Sequence, residues 1–265
     1  MFWWLMKYVF LGPPLRLMYR PKLKGLENIP EDGPAILVAN HQSFLDDLLL
    51  PLVVPHRKVV FLAKADYFDK WYLRWFFKGA NVIPVRRESH SASEDALRAG
   101  VRALRENRLV GIFPEGTRSP DGRLYRGKTG VARMALEAQV PVIPVAISGT
   151  FELMPYDRKV PKAGRVELRF GKPLRFDRHY DTPTDRFVLR SVTDEVMYEI
   201  MLLSGQEYVD EYASRVKGQI AAPAGEKASD APGSSAGAAE ASARPVTPSD
   251  RTAAERTVPA EPPTR

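Results

Sequence analysis

The sequence predicts an α/β fold with a mostly parallel central sheet covered by helices, and three observations support this. Short apolar runs of strand length alternate with longer amphipathic stretches from Tyr19 to Gly218. All but the last of the six runs are continuous and do not alternate in and out, the pattern of strands buried on both faces. A chain of 265 residues is long enough for one such core with a small appendage, while two full domains would be cramped.

Residues 1–20 precede the core and hold about ten apolar residues interrupted by Lys7 and closed by Pro13-Pro14. A spanning helix needs about 20 apolar residues, so this run is too short to cross a bilayer. It also lacks the basic start and small-residue cleavage site of a signal peptide. Trp3, Trp4, Tyr8 and Phe10 mixed with Lys7, Arg16 and Arg20 predict a helical segment lying in the membrane interface. The alternative is a helix packed on its own core.

The main folded domain is read as residues 21–218. Its strands fall at Ala35–Ala39, Val59–Ala63, Asn81–Val85, Leu109–Phe113, Val142–Ile147 and Arg165–Phe170, all but the last dominated by aliphatic residues. Helices fall between them at Phe44–Val54, Trp71–Lys78, Ser91–Glu106 and Thr129–Ala138, with a longer one over Thr184–Leu203, where apolar residues recur at helical spacing. From 219 to 265 the chain is rich in Ala, Pro, Ser, Thr and Glu without an aromatic residue. Such a segment buries too little to offset ordering entropy and is read as a disordered tail.

The chain carries 39 basic and 32 acidic residues, a net charge of +7. The tail holds five basic and six acidic residues, so the excess sits on the folded part. That favours an anionic partner such as a lipid surface or a phosphorylated small molecule. Nucleic acid is disfavoured, because the basic residues form no stripe interleaved with exposed aromatics. The absence of cysteine removes disulfides, thiolate metal sites and a thiol nucleophile, and fits a reducing, intracellular setting. The four histidines, at 41, 56, 90 and 179, show no zinc-type spacing, so no metal site is expected. No dinucleotide fingerprint, phosphate-binding loop or Gly-x-Ser-x-Gly elbow occurs, which argues against nucleotide chemistry and serine hydrolysis.

Two stretches carry chemistry, each directly after a predicted strand, where ligands bind in parallel sheets. The first is Asn40-His41-Gln42-Ser43-Phe44-Leu45-Asp46. On one continuous helix His41 and Asp46 would point about 140° apart. They meet if the helix begins between them, and Ser43 as N-cap makes Asp46 the third helical residue, folded back toward the entering strand end. Ser43-x-x-Asp46 reads equally as a capping box with no catalytic part, and Asp47 is a competing partner about 100° further round the helix. If the pair forms, His41 can take a hydroxyl proton while Asp46 fixes its tautomer and stabilises the imidazolium. Such a pair suits transfer from an already activated donor, for which an acyl thioester would need no covalent acyl-enzyme.

The second stretch is Phe113-Pro114-Glu115-Gly116-Thr117-Arg118-Ser119. Gly116 permits a tight turn or a close backbone approach, Arg118 can hold phosphate bidentately, and Thr117 adds a hydroxyl donor. Glu115 is expected to orient Arg118 or to accept a hydrogen bond from a glycerol hydroxyl. A surface turn with an internal Glu-Arg ion pair is the plainer alternative. Arg86, Arg87 and Lys128 lie at strand and helix ends and are further candidates for phosphate.

Together these residues resemble the 1-acyl-glycerol-3-phosphate acyltransferases, a glycerolipid family marked by a histidine, a four-residue gap and an aspartate. His41 and Asp46 match that block, and Glu115-Gly116-Thr117-Arg118 matches the family's glutamate-glycine-threonine-arginine block. Val140-Pro141-Val142-Ile143-Pro144-Val145 resembles its fourth block, which places Pro144 near the acyl donor. The resemblance implies acceptor binding by Glu115, Gly116, Thr117 and Arg118, and by the arginine after the second block. There the chain has Arg86-Arg87 where the family usually has an acidic residue before its arginine, and Arg87 is the first choice. It further implies a peripheral or monotopic enzyme at the cytoplasmic face of the membrane. Acyl-CoA or acyl-carrier protein is its co-substrate, a lysophospholipid its acceptor, and no cofactor is needed. Another lysophospholipid, glycerol 3-phosphate or an aminolipid are alternative acceptors, and a basic lipid-binding module without chemistry is the non-enzyme alternative.

Overall fold

The computed structural model describes residues 2–64, 83–85, 90–158 and 160–221. Seven strands form the main sheet in the order β1-β8-β7-β2-β5-β3-β4. They are β1 (Lys22–Lys24), β2 (Ala35–Ala39), β3 (Val59–Lys64), β4 (Ile83–Val85), β5 (Leu109–Ile112), β7 (Val142–Ser148) and β8 (Glu167–Phe170). Every neighbouring pair is parallel except β7 and β8, which run antiparallel. The predicted mostly parallel α/β architecture is therefore the one found. β6 (Leu124–Tyr125) and β9 (Tyr208–Val209) form a separate parallel pair.

The core lies on both faces of the sheet, as continuous apolar strands require. On one face Ile36, Val38 and Val110 pack with the helices Gly130–Ala138 and Arg186–Ser204 through Val131, Ala135, Val192 and Val196. On the other, Leu37, Leu109 and Ile143 pack with α3 (Phe44–Val53) through Leu45, Leu49 and Leu50. All five residues of β2 are buried, so this central strand anchors the two layers.

The N-terminal segment is two helical pieces. α1 (Phe2–Leu5) continues as a π-helical turn over Met6–Phe10, and α2 (Gly12–Tyr19) follows. The proline pair, read above as closing the apolar run, opens α2, where a first-turn residue needs no N–H. Gly12 is required at the joint because a Cβ there would meet the Lys7 carbonyl oxygen at 1.7 Å. One side of this segment docks on the protein: Trp3, Lys7 and Tyr19 are buried, and the Lys7 ammonium donates to the Val54 carbonyl. Burial and nearby Arg16 push that ammonium down to about 8. The other side leaves Trp4, Leu5, Tyr8, Val9, Phe10 and Leu17 exposed. Among the described residues no helix is long and apolar enough to cross a membrane.

The predicted helix at Trp71–Lys78, residues 81 and 82 of the predicted Asn81–Val85 strand, Arg86 and Arg87 lie outside the described residues. At the C-terminal side a helix spans Ala213–Ala221, three residues past the expected boundary at Gly218, and the rest of the predicted tail lies outside them too.

Candidate active site

Strands β2 and β5 are adjacent and in register, Val38 opposite Ile112, so the loops leaving their carboxyl ends start side by side. The two sequence stretches are thereby joined by backbone. The Glu115 carboxylate accepts from His41 N at 2.8 Å through Oε1, and Ser119 N donates to the His41 carbonyl at 2.7 Å. His41 is held from both sides of its own peptide by the second loop.

Ser43 has extended φ and ψ and caps α3. Its Oγ accepts from Leu45 N at 3.3 Å and donates to the Met154 carbonyl at 2.7 Å. Asp46 is fully buried, and its Oδ2 accepts from Ser43 N and Gln42 N, both at 2.7 Å. The same oxygen lies 3.1 Å from His41 Nδ1. Capping box and base pair are thus not alternatives: one carboxylate oxygen serves both. A carboxylate only accepts, so a neutral imidazole paired with it carries its proton on Nδ1 and keeps a lone pair on Nε2. Asp47, the competing partner, has Oδ2 3.9 Å from Nε2 and none of the hydrogen-bond reach that Asp46 has.

The ring plane is set by stacking. His41 lies on Phe113 with centroids 4.1 Å apart and planes 17° apart, and Phe113 in turn stacks on Phe61 at 5.7 Å. Beneath it Asn40, fully buried, bonds both the N–H and the carbonyl of Ile147 and donates to Gln206 Oε1 at 2.7 Å. Gln206 and Gln42 both donate to the Gly122 carbonyl, tying the three loops together.

The second loop departs from its expected roles in one respect. Glu115 is 1 % exposed, and its second oxygen accepts from Tyr125 N at 3.1 Å. Each oxygen takes a backbone N–H, and among the described residues no Glu115-Arg118 ion pair is found, so what Glu115 holds here is the His41 peptide and not Arg118. Burial pushes its carboxyl up to about 8, against the pull of the two backbone N–H groups. Gly116 has φ of 72°, the left-handed turn that glycine serves, and a Cβ there would lie 3.0 Å from the Lys128 ammonium. Lys128 is therefore at the turn, exposed, with its own N–H on the Pro114 carbonyl at 2.8 Å. Arg118 lies over the Tyr156 ring, its guanidinium carbon 4.8 Å from the centroid. Thr117 Oγ1 accepts from Lys217 at 2.9 Å and keeps its own proton to donate. Pro144 is buried in β7 opposite Val38, its ring facing Gly171, so it shapes the sheet behind the loops.

A family model described as Acyltransferase matches residues 20–148. The chloroplastic 1-acyl-sn-glycerol-3-phosphate acyltransferase of Arabidopsis thaliana is 34% identical over 158 residues, covering 59% of this chain and 44% of that one. The 1-acyl-sn-glycerol-3-phosphate acyltransferase of Bacillus subtilis is 29% identical over 154 residues, 58% of this chain and 73% of that one. The crystal structure of the 1-acyl-sn-glycerophosphate acyltransferase PlsC from Thermotoga maritima aligns with a TM-score of 0.56 and 32% identity, covering 69% of this chain and 71% of that one. The chain belongs to the 1-acyl-sn-glycerol-3-phosphate acyltransferase family. It spans less than half the length of the Arabidopsis relative.

The Acyltransferase match ends at residue 148, yet three residues beyond it reach the site. Gln206 braces Asn40, Tyr156 carries Arg118, and Lys217 bonds Thr117. The local sequence around these three gave no signal, because each acts through a contact made only in the folded chain.

Proposed function

We propose that this chain is an O-acyltransferase moving a fatty acyl group from an acyl-CoA or acyl-carrier-protein thioester to the hydroxyl of 1-acyl-glycerol 3-phosphate, giving phosphatidic acid. The observation that carries the reading is the His41-Asp46 pair set beside the cationic Gly116–Arg118 turn at the ends of two adjacent strands. The relatives named for this reaction support it.

His41 Nε2 takes the acceptor's hydroxyl proton as the oxygen attacks the thioester carbonyl. The imidazolium that forms is stabilised by Asp46, whose oxygen is already preorganised by two backbone donors. Collapse of the tetrahedral intermediate breaks the carbon-sulfur bond, and the departing thiolate takes the proton back from Nε2. This acyl transfer needs no metal or cofactor. Arg118, Thr117 and Lys128 hold the acceptor phosphate, with Arg87, and Arg86 beside it, in the same role. Pro144 shapes the donor side.

The protein works at the membrane surface, as a peripheral or monotopic enzyme of the cytoplasmic face where thioester donors are made. The exposed apolar side of residues 4–17, flanked by Arg16 and Arg20, is the surface that supports this. Purified protein given a panel of acyl thioesters and acceptors tests the reaction through thiol release and product mass. Phosphatidic acid from lysophosphatidic acid is the expected product. Thiol release without acyl transfer, or product from a neutral lysolipid, glycerol 3-phosphate or an aminolipid alone, overturns the acceptor assignment.

A further inference from the structure

The helix Ala213–Ala221 brings a lysine back to the loop after β5 across about 100 residues of chain. Lys217 Nζ donates to Thr117 Oγ1 at 2.9 Å and sits 3.9 Å from the centroid of Tyr156. Arg118 lies 4.8 Å from the same centroid. Two cations therefore share one aromatic ring, and the ring draws both toward it.

Among the described residues neither cation forms an ion pair with a carboxylate. The acidic group facing Lys217 is Glu115, and both its oxygens are occupied by backbone N–H groups. Burial and the adjacent Arg118 charge lower the Lys217 ammonium to about 8, the sign of a partly dry, positively charged recess. Like charges left facing each other are an arrangement that an anion relieves. A phosphomonoester, with a charge of about −1.5 to −2 and three acceptor oxygens, matches two cations and the free Thr117 hydroxyl proton.

We propose that Lys217, oriented by Tyr156 and Thr117, forms with Arg118 a two-cation clamp for a phosphomonoester, so that the Ala213–Ala221 helix is part of the acceptor site. This deepens the acyl-transfer reading and rests on it for the identity of the acceptor; the anion site itself stands on the geometry of the clamp.

Lys217→Met keeps the stem and removes the charge, and Lys217→Arg keeps the charge. Kinetics with lysophosphatidic acid should show the acceptor KM rising about tenfold or more in Lys217→Met, with kcat and the donor KM within about twofold of wild type and Lys217→Arg largely rescued. Binding of glycerol 3-phosphate and of inorganic phosphate, followed by calorimetry, should weaken in parallel. The comparison tells the two sources apart, since a site built for a lipid headgroup prefers glycerol 3-phosphate to free phosphate. Because Lys217 also seats its helix, wild-type protein provides a second measurement. Glycerol 3-phosphate should protect Lys217 from reductive methylation, read by mass spectrometry. Lack of protection overturns the clamp. So does an unchanged acceptor KM in Lys217→Met, or equal losses for donor and acceptor. Weakened phosphate binding in Lys217→Met alongside a wild type that acylates no phosphomonoester upholds the clamp and removes the acyl-transfer reading. Active wild type with an indifferent Lys217→Met does the reverse.

Discussion

Asp46 Oδ2 holds His41 Nδ1 at 3.1 Å with the same oxygen that caps its own helix through Ser43 N at 2.7 Å. Orientation of the base and the start of α3 are therefore one structural event, and substitutions at the two residues should separate the functions. His41→Ala should lower kcat at least a thousandfold while the melting temperature moves by no more than a few degrees, because the ring contributes one stacking contact and one polar contact. Asp46→Asn should lose both, with activity down similarly and stability down by about 2 kcal/mol as buried N–H donors meet an amide. Residual His41→Ala activity within about tenfold of wild type would sink His41 as the base.

Arg118 has no carboxylate partner among the described residues and lies on Tyr156, so its charge is available to a ligand. Arg118→Ala should raise the acceptor KM by about a hundredfold and the donor KM by less than about threefold. Equal effects on both would show that the arginine supports the fold of the loop and not the acceptor.

The stacked floor under His41 depends on a missing side chain. Gly111 in β5 pairs with Phe61 in β3, and a Cβ at Gly111 would lie 2.5 Å from the Phe61 ring. Gly111→Ala should therefore push Phe61 against Phe113 and tilt the imidazole, costing about 1–3 kcal/mol of stability along with part of kcat. Pairing it with Phe61→Leu makes room and should recover the melting temperature. A single Gly111→Ala variant with wild-type stability would show that the stack moves freely.

How much of this was legible depended on range. The buried strands and the cap at Ser43 could be read because their causes are local: continuous Val and Ile runs in one case, a Ser-x-x-Asp spacing in the other. The direction of Glu115 is not legible, because sequence gives none for a side chain at a turn; only the fold shows it reaching the N–H groups of His41 and Tyr125. β1 was missed for a different reason. Three residues with two lysines resemble a surface turn, yet at a sheet edge those charges are what keeps another strand from pairing. Tyr156 and Lys217 could not be found at all, since their meeting with residues 117 and 118 is purely tertiary.

The outward side of the N-terminal helices can be tested without touching the site. Trp4, Phe10 and Leu17 are 37%, 59% and 75% exposed. Replacing all three with serine should abolish co-sedimentation with vesicles containing phosphatidylglycerol, leave the melting temperature within a few degrees, and preserve turnover of a short-chain, water-soluble acceptor. Retained vesicle binding would move the membrane contact elsewhere on the chain.

Glu115 links pH to stability through its raised pKa. A solvated glutamate titrates near 4.5, and burial pushes the Glu115 carboxyl up to about 8 in the fold. Between those values the folded chain holds a proton that the unfolded chain has released, so stability falls as pH rises. The contribution is fully present below about pH 4.5, drains away across the window, and is gone above about pH 8, a loss of a few kcal/mol. Glu115→Gln has no proton to lose at this position, although it starts lower because one of the two backbone N–H groups now faces an amide N–H. The wild-type melting temperature should therefore fall more steeply than that of Glu115→Gln from pH 5 to pH 8, the two curves converging or crossing near the upper end. Parallel curves would mean that Glu115 is ionised throughout, held by its two N–H partners against the cost of burial, and that the carboxylate rather than the acid is the form that clasps His41.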